Sequence, residues 1–210
     1  MMRILLVDDH PVVRRGIRTI LTERIKGAIV GEAGDAEAAL TQVRDNPWDV
    51  VLADISLPGR SGLDLIKELR RSHPLLPTLV VSMHPSAQFA RRALSAGASG
   101  YLTKDSEPDE FIAAIEDVRR GRRYVGRDSG ELLQRWKVKL STTPHDALSD
   151  REYQVLRMLG SGHTVSDIAR ELGLSVKTVS TYRARVLEKL GMRTNAELMR
   201  YVIENGLLDS

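Results

Sequence analysis

Cysteine is absent from the 210 residues, which excludes a disulfide framework and any thiolate zinc site, and permits a reducing compartment. Aromatic residues are scarce, with two Phe, two Trp and five Tyr, so a core must be assembled from Leu, Val, Ile and Ala. No apolar run approaches the roughly 20 residues of a membrane span. The short apolar run at residues 4–7 passes straight into two acids, so no targeting peptide is expected. Charge of one sign is also lacking overall: 31 basic against 28 acidic residues leave +3. The excess nevertheless has an address. Up to Arg122 there are 17 basic and 17 acidic residues, and beyond it 14 against 11, so all of it lies in the C-terminal part. Such an excess suits a polyanionic partner or a merely solvated face.

The length accommodates two small domains. Strand-like runs at 3–7, 28–33, 49–53, 77–82 and 100–103 alternate with helical patterns near 11–24, 35–45, 61–72, 86–96 and 107–120. Five successive βα units predict a five-stranded parallel sheet, doubly wound with helices on both faces, over residues 1–120. Residues 121–145 are polar and rich in helix breakers and read as a linker. Its stretch ELLQRWKVKL could form a short amphipathic helix with Leu132, Leu133 and Trp136 on one side. Residues 146–210 are helical only, in segments near 150–160, 164–172, 176–190 and 195–205, an all-α four-helix domain. Ser149, Ser175 and Thr194 are expected N-caps, with Glu152 and Glu197 at capping-box spacing from Ser149 and Thr194.

Acids at strand ends carry the chemistry. Asp8 and Asp9 close RILLVDD, and Asp54 closes DVVLAD. Any one of these acids could be a helix N-cap. Together at the carboxyl ends of buried strands they oppose one another's ionisation, and a hard divalent cation such as Mg²⁺ relieves that. Lys104, closing GYLTK, adds a positive charge to the edge where open α/β sheets bind ligands. A carboxylate so placed can attack a phosphoryl group, while the metal and lysine neutralise the transferring oxygens. Ser82 ends TLVVS and can offer a hydroxyl to the same group; His84 reads as an exposed loop residue.

The second signal lies in TVSDIARELGLSVKTVSTYRARVLEKLG, two helices joined at Gly173. Val179, Tyr182, Val186 and Leu190 form one apolar face of the second helix, and Lys177, Thr181, Ala184, Arg185 and Glu188 lie opposite. Lys177, Arg183, Arg185 and Lys189 against Glu188 give this helix a net +3. Lys177, Ser180, Thr181 and Ala184 are candidates to read base edges, and Arg183 and Arg185 to hold phosphates. Arg183 could equally snorkel beside the apolar face, and the segment as a whole could be a helical protein-docking module.

The order VDDH, LADISLPGRSGLDL, VVSMH and GYLTKD resembles the flavodoxin-like receiver domain of two-component response regulators. LSDREYQVLRMLGSGHTVSDIARELGLSVKTVSTYRARVLEKLGMRTNAEL resembles the LuxR-type helix-turn-helix. Their combination resembles the NarL/FixJ family. The resemblance implies Asp54 as phosphoacceptor, Asp9 as direct Mg²⁺ ligand with Asp8 assisting, and the Ser56 backbone carbonyl completing the ligands. It also implies Lys104 on the phosphoryl group, and Ser82 and Tyr101 as a switch pair. Lys177, Ser180, Thr181, Arg183, Ala184, Arg185 and Lys189 form the implied DNA-contact set. Asp105 stands where receivers commonly have Pro, Tyr182 where many relatives have His, and Tyr153 where an acid is common. A histidine kinase, promoter DNA, a second copy of the chain and RNA polymerase are the implied partners, in a bacterial cytoplasm, with no membrane association and no small-molecule turnover. An aspartate-nucleophile phosphatase of the haloacid dehalogenase type is the enzyme alternative. It places a second acid two residues after its nucleophile, where this chain has Ser56. A phosphorylation-gated adaptor is the third reading.

Overall fold

The computed structural model describes residues 1–83, 87–126 and 143–208, and its contacts divide the chain into two units, Met1–Val138 and Lys139–Ser210. The candidate helix around Trp136 and the position of His84 lie outside the described residues.

In the first unit β1 (Arg3–Val7), β2 (Ile29–Ala33), β3 (Val50–Ala53), β4 (Thr78–Ser82) and β5 (Gly100–Thr103) alternate with α1 (Pro11–Arg24), α2 (Ala36–Asp45), α3 (Gly62–Ser72), α4 (Ala87–Ala96) and α5 (Pro108–Arg119). A sixth strand, β6 (Tyr124–Val125), follows α5, and the sheet order is β2-β1-β3-β4-β5-β6, parallel throughout. Alternation along each strand divides the core in two. Ile4, Leu6, Val50, Leu52, Leu79 and Val81 pack with Ile17 and Leu21 of α1 and Phe111, Ile115 and Val118 of α5. Leu5, Val7, Val51 and Ala53 point to the other face, with Val43 of α2 and Leu65 and Leu69 of α3. Nearly continuous Val/Leu/Ile runs are what a sheet covered on both faces requires. Helix starts are set locally: Pro11 and Pro108 open α1 and α5, and the Asp35 and Ser61 side chains cap α2 and α3.

The sheet thus has six strands rather than the five expected. β6 arises inside the segment assigned to the linker, where two residues give no alternation to read. It pairs Gly100 with Tyr124 and Tyr101 with Val125.

The second unit opens with a 3₁₀ turn at Pro144–Ala147, followed by α6 (Asp150–Gly160), α7 (Val165–Glu171), α8 (Val176–Leu190) and α9 (Asn195–Glu204). Its core holds Leu148, Tyr153, Leu156, Leu159, Ile168, Leu172, Val179, Val186, Leu198 and Val202. Ser149, Thr164, Ser175 and Thr194 each cap the helix they precede, with reciprocal Glu152, Asp167 and Glu197 at the first, second and fourth. The Thr164–Asp167 box went unread because Asp in place of Glu or Gln departs from the usual spacing pair. Gly191, at φ 67°, ends α8 in the left-handed region that a β-carbon disfavours.

Candidate functional site

Asp8, Asp54 and Lys104 each stand one residue past the end of a strand, yet each amide is still held by its neighbour. Asp8 N donates to Ala33 O at 3.1 Å, Asp54 N to Val7 O at 2.8 Å and Lys104 N to Ser82 O at 2.8 Å. The sheet register therefore fixes the three Cα positions, and the side chains converge. Lys104 Nζ lies 2.5 Å from Asp8 Oδ2 and 2.8 Å from Asp54 Oδ2, and all three side chains are 5% exposed or less. Asp54 Oδ1 accepts from the Ser56 amide at 3.2 Å, and Asp8 Oδ1 from the His10 amide at 2.8 Å.

Burial pushes the Asp54 carboxyl above its usual range and the nearby Asp8 charge adds to this, with the Lys104 ammonium opposing both. For Lys104 burial disfavours the charge, but Asp54 and Asp8 outweigh it and raise its pKa. An ammonium between two carboxylates is the consistent state. With Asp9 alongside, three carboxylates face one ammonium, and two negative charges remain. One divalent cation balances them.

The residues fit such an ion. Ligand atoms of Asp8, Asp9, His10 and Asp54 lie within 4.8 Å of one another, near the roughly 4 Å that opposite corners of an Mg²⁺ octahedron span. Asp9 Oδ1 is buried and accepts no well-aligned hydrogen bond, although His10 Nδ1 lies 2.8 Å from it. The carboxylate oxygens of Asp8, Asp9 and Asp54 suit a hard ion.

Ser82 and Tyr101 are fully buried, Ser82 at the end of β4 and Tyr101 beside Val80 on β5. Two residues that contribute to the site were not singled out from the sequence. Arg14 Nη1 donates to the Asp8 carbonyl at 2.5 Å, and its Nε to Glu32, itself bonded to Arg18. Gly62 sits against the Asp54 backbone so closely that a Cβ would fall 1.8 Å from Asp54 O. Arg14 carried no sequence signal; Gly62, directly after the cap Ser61, carried a weak one.

In the second unit Lys177, Ser180, Thr181, Ala184 and Arg185 are exposed on α8, whereas Val179 and Val186 are buried. Val176, at the start of α8, is an exposed apolar residue beside them, outside the set expected from the sequence. Two of the basic residues are committed internally. Arg183 Nε donates to Asn195 Oδ1 at 2.6 Å, and Lys189 Nζ lies 2.6 Å from Glu152 Oε2 and 3.3 Å from Ala147 O. Both hold α8 to its neighbours, which leaves Lys177 and Arg185 as the outward-facing cations of the helix.

Burial disfavours the Glu152 carboxylate, but Lys189 and the Ser149 amide and hydroxyl outweigh it and hold its pKa below the usual value. A depressed folded pKa means the stabilisation is complete above the unfolded value of about 4.3 and lost as pH falls through the folded one. Gln keeps the capping-box geometry and Lys189 can return to solvent, so Glu152→Gln should cost about 1–2 kcal/mol at pH 7, the range of a lost charged hydrogen bond. Thermal melts at pH 7 and pH 3 check it: the variant's deficit should shrink at the lower pH.

A model of the response regulator receiver domain matches residues 4–116, and a model of the luxR family of bacterial regulatory proteins matches residues 146–202. The chain belongs to the NarL/FixJ family of response regulators. This regulator is 38% identical to the response regulator UvrY of Escherichia coli (strain K12), an alignment covering 100% of the chain and 97% of UvrY. It is 36% identical to the response regulator GacA of Pseudomonas aeruginosa, covering 100% and 99%. Among solved structures, RcsB of Salmonella enterica serovar Typhimurium bound to promoter rprA in the presence of phosphomimetic BeF₃⁻ superposes with a TM-score of 0.64. That match has 29% identity and covers 95% of this chain and 97% of RcsB. The regulator carries a receiver domain and a LuxR-type DNA-binding domain. Among the described residues no helix is long and apolar enough to cross a membrane.

Proposed function

We propose that Asp54 accepts a phosphoryl group from a histidine kinase and that the modified receiver promotes dimerisation and sequence-specific binding to promoter DNA. The observation that carries this is the buried Asp8–Lys104–Asp54 cluster, with Asp9 beside it leaving two uncompensated negative charges. Asp8, Asp9, Asp54 and the Ser56 carbonyl would hold Mg²⁺, whose contribution when bound is to neutralise phosphoryl oxygens. The chain's own part is orientation and charge. The Asp54 carboxylate attacks phosphorus and the kinase imidazole departs. Lys104, already between Asp8 and Asp54, passes its ammonium from a carboxylate to a phosphoryl oxygen, and Ser82 offers its hydroxyl to another. Ser82 and Tyr101 then adopt the arrangement of the phosphorylated state, biasing a two-state receiver. The protein is a switch rather than a catalyst of small-ester turnover, acting in the cytoplasm, with RNA polymerase as the machinery it influences.

On the output side Lys177, Ser180, Thr181 and Ala184 read bases, and Arg185 anchors phosphate. Arg183 and Lys189 act chiefly by fixing α8. RcsB has been solved as two dimers bound to two parallel DNAs, which supports a dimeric output here; half-sites then lie about 34–36 Å apart or at multiples of that.

Selection of genomic fragments by the purified protein at fixed salt, with and without acetyl phosphate and Mg²⁺, tests the whole reading. A motif enriched more strongly with the donor is expected. Equal enrichment in both states would remove phosphorylation as the gate, and none in either would favour a protein-binding adaptor. Lys177→Ala should relax discrimination at one base pair, worth about 1–3 kcal/mol, rather than weaken all duplexes equally. Competition with single-substituted sites at constant salt distinguishes these, and a uniform loss would make Lys177 a phosphate contact.

A further inference from the structure

At the end of the sheet opposite the acids, the loops that enter β4, β5 and β6 border a cavity of about 370 Å³. Its lining includes Arg70, Arg119, Arg122 and Arg123 and no Asp or Glu. Part of this charge has internal employment. Arg70 Nη1 donates to Pro74 O at 2.6 Å, and Arg122 pairs with Asp117. Arg70 and Arg119 also lie in the last turns of α3 and α5, where a helix dipole favours cations. Arg123 lies beyond the end of α5, outside the reach of that explanation, and among the described residues neither it nor Arg119 has a hydrogen-bond or ion-pair partner. Arg119 and Arg123 thus add positive charge to one concavity with no acid in its lining, which an anion entering it would balance.

Thr78 and Ser99 add polar groups to the lining, and the remaining side chains are apolar. Ile66 and Val118 are buried beneath the cavity, Leu76 and Pro77 flank it, and Leu75 at its border is 95% exposed. An isolated leucine so fully in water makes no packing contribution to the fold. The volume falls within the range of small-molecule pockets, about 300–1,000 Å³.

We propose that this cavity is a nucleotide site. Its arginines take phosphate oxygens through paired N–H donors, as the guanidinium fork does elsewhere, and Leu75 and Leu76 cover the base. The inference is independent of phosphorylation at Asp54.

Titration calorimetry of the full-length protein with ADP, in EDTA so that the acidic cluster cannot recruit a metal–nucleotide complex, tests it. Saturable one-site binding is expected, weakened at least tenfold by Arg119→Ala with Arg123→Ala. Both side chains are exposed, so this variant should melt like the wild type. Leu75→Ser should weaken ADP but leave inorganic pyrophosphate unchanged. Absence of saturable ADP binding would overturn the proposal. So would binding that survives the double substitution or is displaced by a short random duplex, which would place ADP on the DNA-binding domain. Pyrophosphate binding as tightly as ADP would overturn the base contact.

Discussion

Replacing Asp54 by alanine will reduce acetyl-phosphate labelling to background and remove any donor-dependent gain in DNA binding. Nothing nearby substitutes for it. Asp8 is held by Lys104 at 2.5 Å and by the His10 amide, and its backbone carbonyl is fixed by Arg14. Asp9 lies on the partly exposed side of the cluster beside His10. The substitution also changes the charge balance: Asp8 and Asp9 against Lys104 leave one negative charge instead of two, so divalent-ion affinity should fall with it. Because Lys104 keeps Asp8 as partner, the variant should fold. Asp54→Asn separates the effects, since it retains the shape and removes the nucleophilic charge. Phosphate-affinity electrophoresis after incubation with acetyl phosphate reads the outcome, and persistent labelling in Asp54→Ala would place the acceptor at another residue.

A single methyl group at residue 62 should be nearly as damaging, through geometry rather than charge. The α3 N-terminus approaches the strand end so closely that a Cβ on Gly62 would lie 1.8 Å from Asp54 O, 2.8 Å from Asp54 C and 2.9 Å from Ile55 Cα. These are backbone atoms, tied in turn by Gly62 N to Ile55 O at 3.0 Å and Asp54 N to Val7 O at 2.8 Å. No side chain can rotate away, so either α3 or the acceptor strand end must move. Overpacking of this kind costs about 3 kcal/mol, and the displacement falls on the residue that must be positioned for attack. Gly62→Ala should therefore lower both the melting temperature and the labelling rate. Gly16 supplies the opposite case. It is a mid-helix glycine in α1 with nothing within 4 Å of its would-be Cβ, so Gly16→Ala should stabilise by about 0.5–1 kcal/mol with labelling unchanged. Equal responses to the two substitutions would show that helix propensity, not the Asp54 approach, governs both.

The strands and helices of the first unit were legible because each obeys one period: buried strands read as unbroken Val/Leu/Ile runs, and helices as amphipathic stretches between them; the starts at Pro11, Asp35, Ser61 and Pro108 are supplied by the structure. The acids were legible because burying three carboxylates at strand ends is costly, and that cost shows in composition. What stayed hidden depends on contacts distant in sequence. β6 owes its existence to the edge of β5, not to its own two residues. Arg14 looks like any other solvated arginine on α1 until Glu32 and the Asp8 carbonyl are seen beside it. On α8, charge alone could not separate Lys177 and Arg185 from Arg183 and Lys189, since the distinction is made by Asn195 on α9 and by Glu152 on α6.

β6 returns the chain along the edge of β5 after α5. Had the domain ended with α5, the chain would have departed from the end of the sheet remote from Asp54. Instead it turns back through β6, parallel to β5. Tyr124 N donates to Ser99 O at 3.1 Å and Gly126 N to Tyr101 O at 2.9 Å, so β6 is stitched to the carbonyl of the tyrosine whose side chain is the proposed switch. The proposed switch residue and β6 thus share one edge of the sheet. Any displacement of β5 at Tyr101 would therefore reach residues 124–126 directly, with no relay through the body of the sheet.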